Sequence, residues 1–84
     1  MYKVVVSKSA SKELQDLPSL AVGRIIEALQ KLQTEPRPPG SKKLRGTSDL
    51  WRVRVGDYRI VYAIEDTIRV VDIRKIGHRK DIYE

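Results

Sequence analysis

Cysteine is absent from the 84 residues. Its absence excludes disulfides, cysteine-bearing zinc sites and thiol catalysis, and agrees with a reducing cytosol. Histidine occurs once, and no close pair of acids stands at metal-ligand spacing, so metal-dependent hydrolysis is not expected and neither metal nor cofactor is assigned. "RPPGSKK" lacks the second glycine and the preceding strand of a phosphate-binding loop, which argues against nucleotide hydrolysis. No run of about 18 apolar residues occurs. The opening "MYKVVVSKSASKELQ" has no apolar core of a signal peptide. The expectation is a soluble, cytoplasmic protein with no membrane partner. Ser48 in "GTSD" has an acid beside it but no base, and reads as a turn residue.

What the chain has is positive charge: 17 Lys and Arg against 11 Asp and Glu, a net +6. That balance favours a polyanionic partner. Seven of the nine arginines (Arg45, Arg52, Arg54, Arg59, Arg69, Arg74 and Arg79) follow Lys42, and guanidinium is the cation suited to bidentate phosphate contact. With no internal repeat, residues 1–84 are expected to form a single domain. A chain this short buries only about 60% of its unfolded surface, so its stability margin is thin.

The fold class predicted is α+β. "YKVVVS" is a β-branched strand from Tyr2 to Val6. Ser7 or Ser9 can cap a first helix with an apolar edge at Leu14 and Leu17, ended by Pro18. A second helix follows from Leu20, Ile25, Ile26, Leu29 and Leu32, spaced near 3.6 residues. "TEPRPPGS" marks an ordered loop over 34–42. Three strands come next: Leu50 to Val55, Tyr58 to Ile64, and Ile68 to Lys75. Gly56-Asp57 suits a two-residue hairpin turn, which sets Val55 opposite Tyr58 and Arg54 opposite Arg59. Alternation then places Trp51, Val53, Val55, Tyr58, Ile60 and Tyr62 on a core face and Arg52, Arg54 and Arg59 on the other. A second turn at Asp66-Thr67 would set Ile73 opposite Ile60, Val71 opposite Tyr62 and Arg74 opposite Arg59. "GHRKDIYE" is left as a polar tail or short helical turn. The helical pair is expected to cover one face of a small antiparallel-rich sheet and leave the other at least partly open.

Like charges opposed across a hairpin are destabilising, and an anion lying over Arg54 and Arg59 would reverse the sign. One phosphoryl reaction needs neither metal nor protein nucleophile, because in RNA the 2′-OH lies beside the scissile phosphate. The protein must then orient the strand, stabilise charge and move two protons. Arginine suits the second task and not the third. His78 and Tyr83, near Arg79, are the candidates for proton transfer.

"KLRG" (43–46), "WRVRV" (51–55), "YRIVY" (58–62) and "KIGHRKDIY" (75–83), in this order and behind an N-terminal strand and two helices, resemble the RelE branch of the RelE/ParE toxin superfamily of toxin–antitoxin systems. The resemblance implies an endoribonuclease that cuts messenger RNA, typically on the ribosome, held inactive by a cognate antitoxin that is RelB-like or of another class. Operator DNA would be reached only through the toxin–antitoxin complex. By matched position, Arg59 corresponds to the arginine that stabilises the scissile phosphate and Arg79 to one acting at the transition state or leaving oxygen. Tyr83 corresponds to a tyrosine that orients or deprotonates the 2′-OH, and Arg45 to a supporting phosphate contact. Lys43, Arg74 and Lys75 are taken as further RNA contacts. Arg52 and Arg54 stand where relatives often have lysines. Arginine cannot readily exchange a proton, so that work falls to His78, Tyr83 or Lys75 and leaves Arg52 and Arg54 electrostatic. Two alternatives stay open: a ParE-like toxin that poisons gyrase, and a non-catalytic module that binds nucleic acid or an acidic protein.

Overall fold

Three consecutive valines, Val4 to Val6, keep their favoured rotamers in an extended chain and form β1 (Lys3–Val6). A computed structural model of the chain describes residues 1–46 and 49–78. Ser7 follows β1 as the N-cap of α1 (Lys8–Gln15), its hydroxyl accepting from the Ala10 N–H at 3.1 Å, which satisfies a donor that the first turn leaves open. Pro18 then opens α2 (Ser19–Leu32). α2 buries Ala21, Ile25, Leu29 and Leu32. The expected apolar stripe is corrected at two places, since Leu20 is 83% and Ile26 42% exposed. Each helical residue advances about 100°, so both stand off the 21/25/29/32 line, and Ala21 takes the buried position one turn before Ile25.

The remaining strands are β2 (Lys42–Lys43), β3 (Leu50–Val55), β4 (Tyr58–Glu65) and β5 (Val70–His78). They join one sheet in the order β1-β5-β4-β3-β2, with β1 parallel to β5 and the other pairs antiparallel. β2 pairs with Trp51 and Arg52, in a stretch the sequence reading left without a strand. Gly56, at φ 60°, makes the two-residue turn that sets Val55 opposite Tyr58, Arg54 opposite Arg59 and Trp51 opposite Tyr62, as expected.

The next turn is longer than predicted. It spans residues 66–69, with Glu65 opposite Val70 and the Arg69 N–H donating to the Asp66 carbonyl at 3.3 Å. Two added turn residues slide β5 by two positions, so Val71 faces Ile64 and Ile73 faces Tyr62. An even slip preserves the face of each side chain, and both stay in the core. A bulge then follows, after which Lys75 pairs with Val61, Ile76 with Ile60 and Gly77 with Arg59. Arg74 is therefore not opposite Arg59. β5 runs to His78, beyond the predicted end at Lys75.

Ile25, Leu29 and Leu32 of α2 meet Ile60, Tyr62, Ile64, Val71, Ile73 and Ile76 in the main core, with Trp51, Val53, Val55 and Tyr58 packed against it. Fully burying one such aliphatic side chain contributes about 1.5–3 kcal/mol. The proline-rich loop is held to this core at three points. Arg37 donates to both Asp66 oxygens, at 3.2 and 2.9 Å, and its guanidinium lies 5.1 Å from the Trp51 ring centroid. The Tyr2 hydroxyl donates to Asp66 at 2.6 Å, and the Tyr62 hydroxyl to the Pro36 carbonyl at 2.8 Å. Hydrogen bonds from Arg37 and then Tyr2 hold the Asp66 carboxyl down to about 2, while burial pushes the Tyr62 phenol up to about 12.

A carboxyl whose folded pKa lies below its unfolded value of about 3.9 stabilises the protein above that value and loses the contribution as pH falls through the folded one. Asp66→Asn is therefore expected to melt below wild type at neutral pH, with the gap closing progressively between about pH 4 and pH 2. Thermal melts across that range test it, and a constant gap would refute the assignment. Tyr62→Phe removes a buried donor from Pro36 and is expected to cost about 1 kcal/mol, read by urea denaturation. Unchanged stability would show that the bond carries nothing.

Candidate functional site

Alternation along β3 and β4 places Arg52, Arg54 and Arg59 on the sheet face away from the helices, as the Gly56-Asp57 turn requires. Registers across the sheet arrange this face in rows. One row runs Lys75, Val61, Arg52, Lys42, and the next Gly77, Arg59, Arg54. Gly77 brings no side chain of its own beside Arg59.

The three arginines differ in depth. Arg52 is only 3% exposed, Arg59 is half-buried and Arg54 is exposed. The Nε atoms of Arg52 and Arg59 are shielded from solvent. On the same face, Val61 opposite Arg52 is buried together with Leu44, with Leu50 packed against them, so an apolar patch flanks Arg52 and the face is less open than expected. A charge buried as Arg52 is interacts through a lower effective dielectric than a charge in water.

The other predicted residues divide by position. Lys75 is exposed and, opposite Val61, shares the arginine face. Lys43 is exposed but pairs with Trp51, on the helix side of the sheet. Its neighbour Lys42, which sequence reasoning passed over, pairs with Arg52 on the arginine face. Arg45 is exposed beside Gly46, which has φ 75°. Arg74 lies at the bulge, its Nε donating to Asp72 at 2.8 Å. His78 is opposite Tyr58, and the two rings meet edge to face with centroids 5.6 Å apart. Tyr58 packs on the main core, so the His78 ring stands on the opposite side of the sheet from Arg59. Arg79, Tyr83 and Ser48 lie outside the described residues. Among the described residues, no three His, Cys, Asp or Glu side chains converge to hold a metal, and no helix is long and apolar enough to cross a membrane.

β2 covers β3 only at Trp51 and Arg52. Beside Val53 to Val55, a groove of about 520 Å³ opens between β3, α2 and the proline-rich loop, lined by Arg24, Lys31, Glu35, Pro38, Val53 and Arg54. Arg24 also reaches the hairpin turn, its Nη1 lying 3.6 Å from where a Cβ on Gly56 would stand.

Comparison with known proteins finds the same fold over nearly the whole chain. The family described as "ParE toxin of type II toxin-antitoxin system, parDE" matches residues 4–83. Toxin RelG of Mycobacterium tuberculosis is 32% identical over 83 residues, covering 98% of this chain and 95% of the relative. The archaeal RelE in a RelE–RelB complex from Pyrococcus horikoshii superposes with a TM-score of 0.83 at 36% identity, over 96% of this chain and 98% of that one. The isolated E. coli RelE toxin superposes with a TM-score of 0.81 at 28% identity, over 93% of this chain and 84% of that one. The strand, helical pair, mixed sheet and sequence together place this chain in the RelE/ParE family of toxins of type II toxin–antitoxin systems, as a toxin of the RelE type.

Proposed function

We propose that the chain is a metal-free endoribonuclease that cuts messenger RNA on the ribosome in the cytoplasm and is silenced by a cognate antitoxin. The observation that carries this reading is the gathering of Arg52, Arg54 and Arg59 on one face, at three depths, beside an apolar patch of Leu44, Leu50 and Val61. In the reaction the 2′-oxygen attacks phosphorus and the bond to the 5′-oxygen breaks. A 2′,3′-cyclic phosphate remains on one product, the 2′-hydroxyl proton passes to a base, and a proton reaches the departing 5′-oxygen. Arg59 stabilises the charge developing on the phosphate oxygens. Arg52, set deeper, supplies a fixed positive field, and Arg54 holds the strand from the solvent side. Arg79 acts at the leaving oxygen and Tyr83 at the 2′-OH. The side of the sheet on which His78 stands argues against it as the base, and Lys75 and Lys42 are the described residues on the arginine face able to exchange a proton.

Several structural relatives were solved with RelB bound, and on that ground we assign this chain an antitoxin partner. The groove beside Val53 to Val55 suits such a partner, because an extended segment can pair with a strand edge while its side chains enter the groove. Such a complex is also the form in which operator DNA would be met. A partner that binds only the folded chain would raise the stability of a domain this small.

Arg59→Ala is expected to lower single-turnover cleavage by about 100-fold or more. Arg79→Ala and Tyr83→Phe are expected to relieve growth arrest as fully, with antitoxin binding retained in all three. Full toxicity of all three variants would sink the site, and products without a cyclic phosphate or its hydrolysis product would sink 2′-OH attack. Arg54→Ala is expected to flatten the dependence of log affinity on log salt by about 0.7 for single-stranded RNA. Because the matching family is described as ParE, the same preparations are assayed on DNA gyrase; gyrase poisoning with intact messenger RNA would replace the ribonuclease reading.

A further inference from the structure

The phase of β5 is reset partway along the strand. It pairs with β4 from Val70 to Ile73 and again from Lys75 to His78, leaving Arg74 as an extra residue at the bulge. Without the bulge, continuing from Ile73 opposite Tyr62 would set Arg74 opposite Val61, Lys75 opposite Ile60 and Ile76 opposite Arg59. That phase would drive an ammonium into the main core and an isoleucine onto the guanidinium face, because one residue of slip exchanges the two faces. The bulge gives the opposite result: Ile76 is 1% exposed in the core, and Lys75 stands beside the Val61/Arg52 row.

α1 holds this phase. β1 ends at Val6 opposite Ile73, and the start of α1 takes over along the edge of β5. The Ser7 N–H donates to the Ile73 carbonyl at 3.0 Å and the Ser7 hydroxyl to the Arg74 carbonyl at 3.5 Å. Beyond the bulge, the half-buried Glu13 carboxylate accepts the Ile76 N–H at 3.1 Å. A buried backbone donor left without an acceptor is costly, so Glu13 favours the phase in which Ile76 points its N–H toward α1.

We propose that Glu13 is a positioning residue of the site: its bond to Ile76 fixes the phase of β5 after the bulge and so presents Lys75 to the RNA phosphate. The identity of the ligand rests on the ribonuclease reading, whereas the phasing rests on geometry alone. What the position needs is an acceptor at the end of a two-methylene stem, so glutamine serves and an apolar side chain of similar length does not.

The test uses the full chain as wild type, Glu13→Gln, Glu13→Met, Lys75→Ala and the Glu13→Met/Lys75→Ala double variant. A fluorescent 2′-O-methyl oligoribonucleotide, which binds but cannot be cut, reports affinity. Glu13→Met is expected to raise hydrogen exchange at the Ile76 amide by about tenfold, to weaken the NOE between the Lys75 and Val61 side chains, and to lower affinity as far as Lys75→Ala does. The double variant is expected to bind no more weakly than Lys75→Ala alone, and Glu13→Gln to match wild type in all readouts. Additive losses in the double variant, or weakened binding with Ile76 exchange unchanged, would overturn the proposal, since a merely structural role adds to the lysine loss. If the wild-type chain binds no RNA, the ribonuclease reading fails. The Ile76 exchange and the Lys75–Val61 NOE still decide the positioning claim, supporting it if they change in Glu13→Met alone and overturning it if they do not.

Discussion

A strand has two faces and one phase, and every cation of this site depends on the phase of the strand that carries it. Gly56-Asp57 sets β3 against β4, so the arginines gather on one side while Trp51, Val53 and Tyr62 gather on the other. The bulge at Arg74 sets β5 a second time. If either device slipped by one residue, the core would receive charge and the outer face would receive aliphatic side chains. Burial of Ile60 therefore enforces the position of Arg59, and burial of Ile73 and Ile76 on either side of the bulge acts together with the Glu13–Ile76 bond in placing Lys75.

That coupling explains how a thinly stable domain keeps like charges together. Arg54 opposite Arg59 is unfavourable locally, but moving either would expose apolar area worth several times a surface ion pair. The proline-rich loop contributes on the far side of the sheet, where Arg37, Asp66 and Tyr2 tie three separated segments together.

Sequence reasoning reached the parts whose signals are local. Ser7 caps α1 because a hydroxyl precedes the first turn, and the first hairpin is legible because Gly56 marks a positive φ. The second turn is not legible in the sequence because Arg69, also at positive φ, carries no glycine to mark it. The slip of β5 by two left core residues on the core side, so Val71 and Ile73 were assigned correctly for an incorrect register. The bulge was illegible for a deeper reason: it is stabilised by Glu13, 63 residues away in sequence. Lys42 and the side taken by His78 follow from pairings of the same long-range kind. The burial of Arg52 is not legible either, because strand alternation gives a face but not the depth at which a side chain lies on it.

The parallel pairing of β1 with β5 joins the first strand of the sheet to the last. During synthesis β1 and the helical pair emerge first, yet their partners Val70 to Ile73 are added only near the end of the chain, and contacts of such separation form late. The apolar stripe of α2 likewise waits for β4 and β5. Translation thus carries a built-in delay: until β5 is added, the chain has neither a closed core nor the row that Lys75 completes on the arginine face.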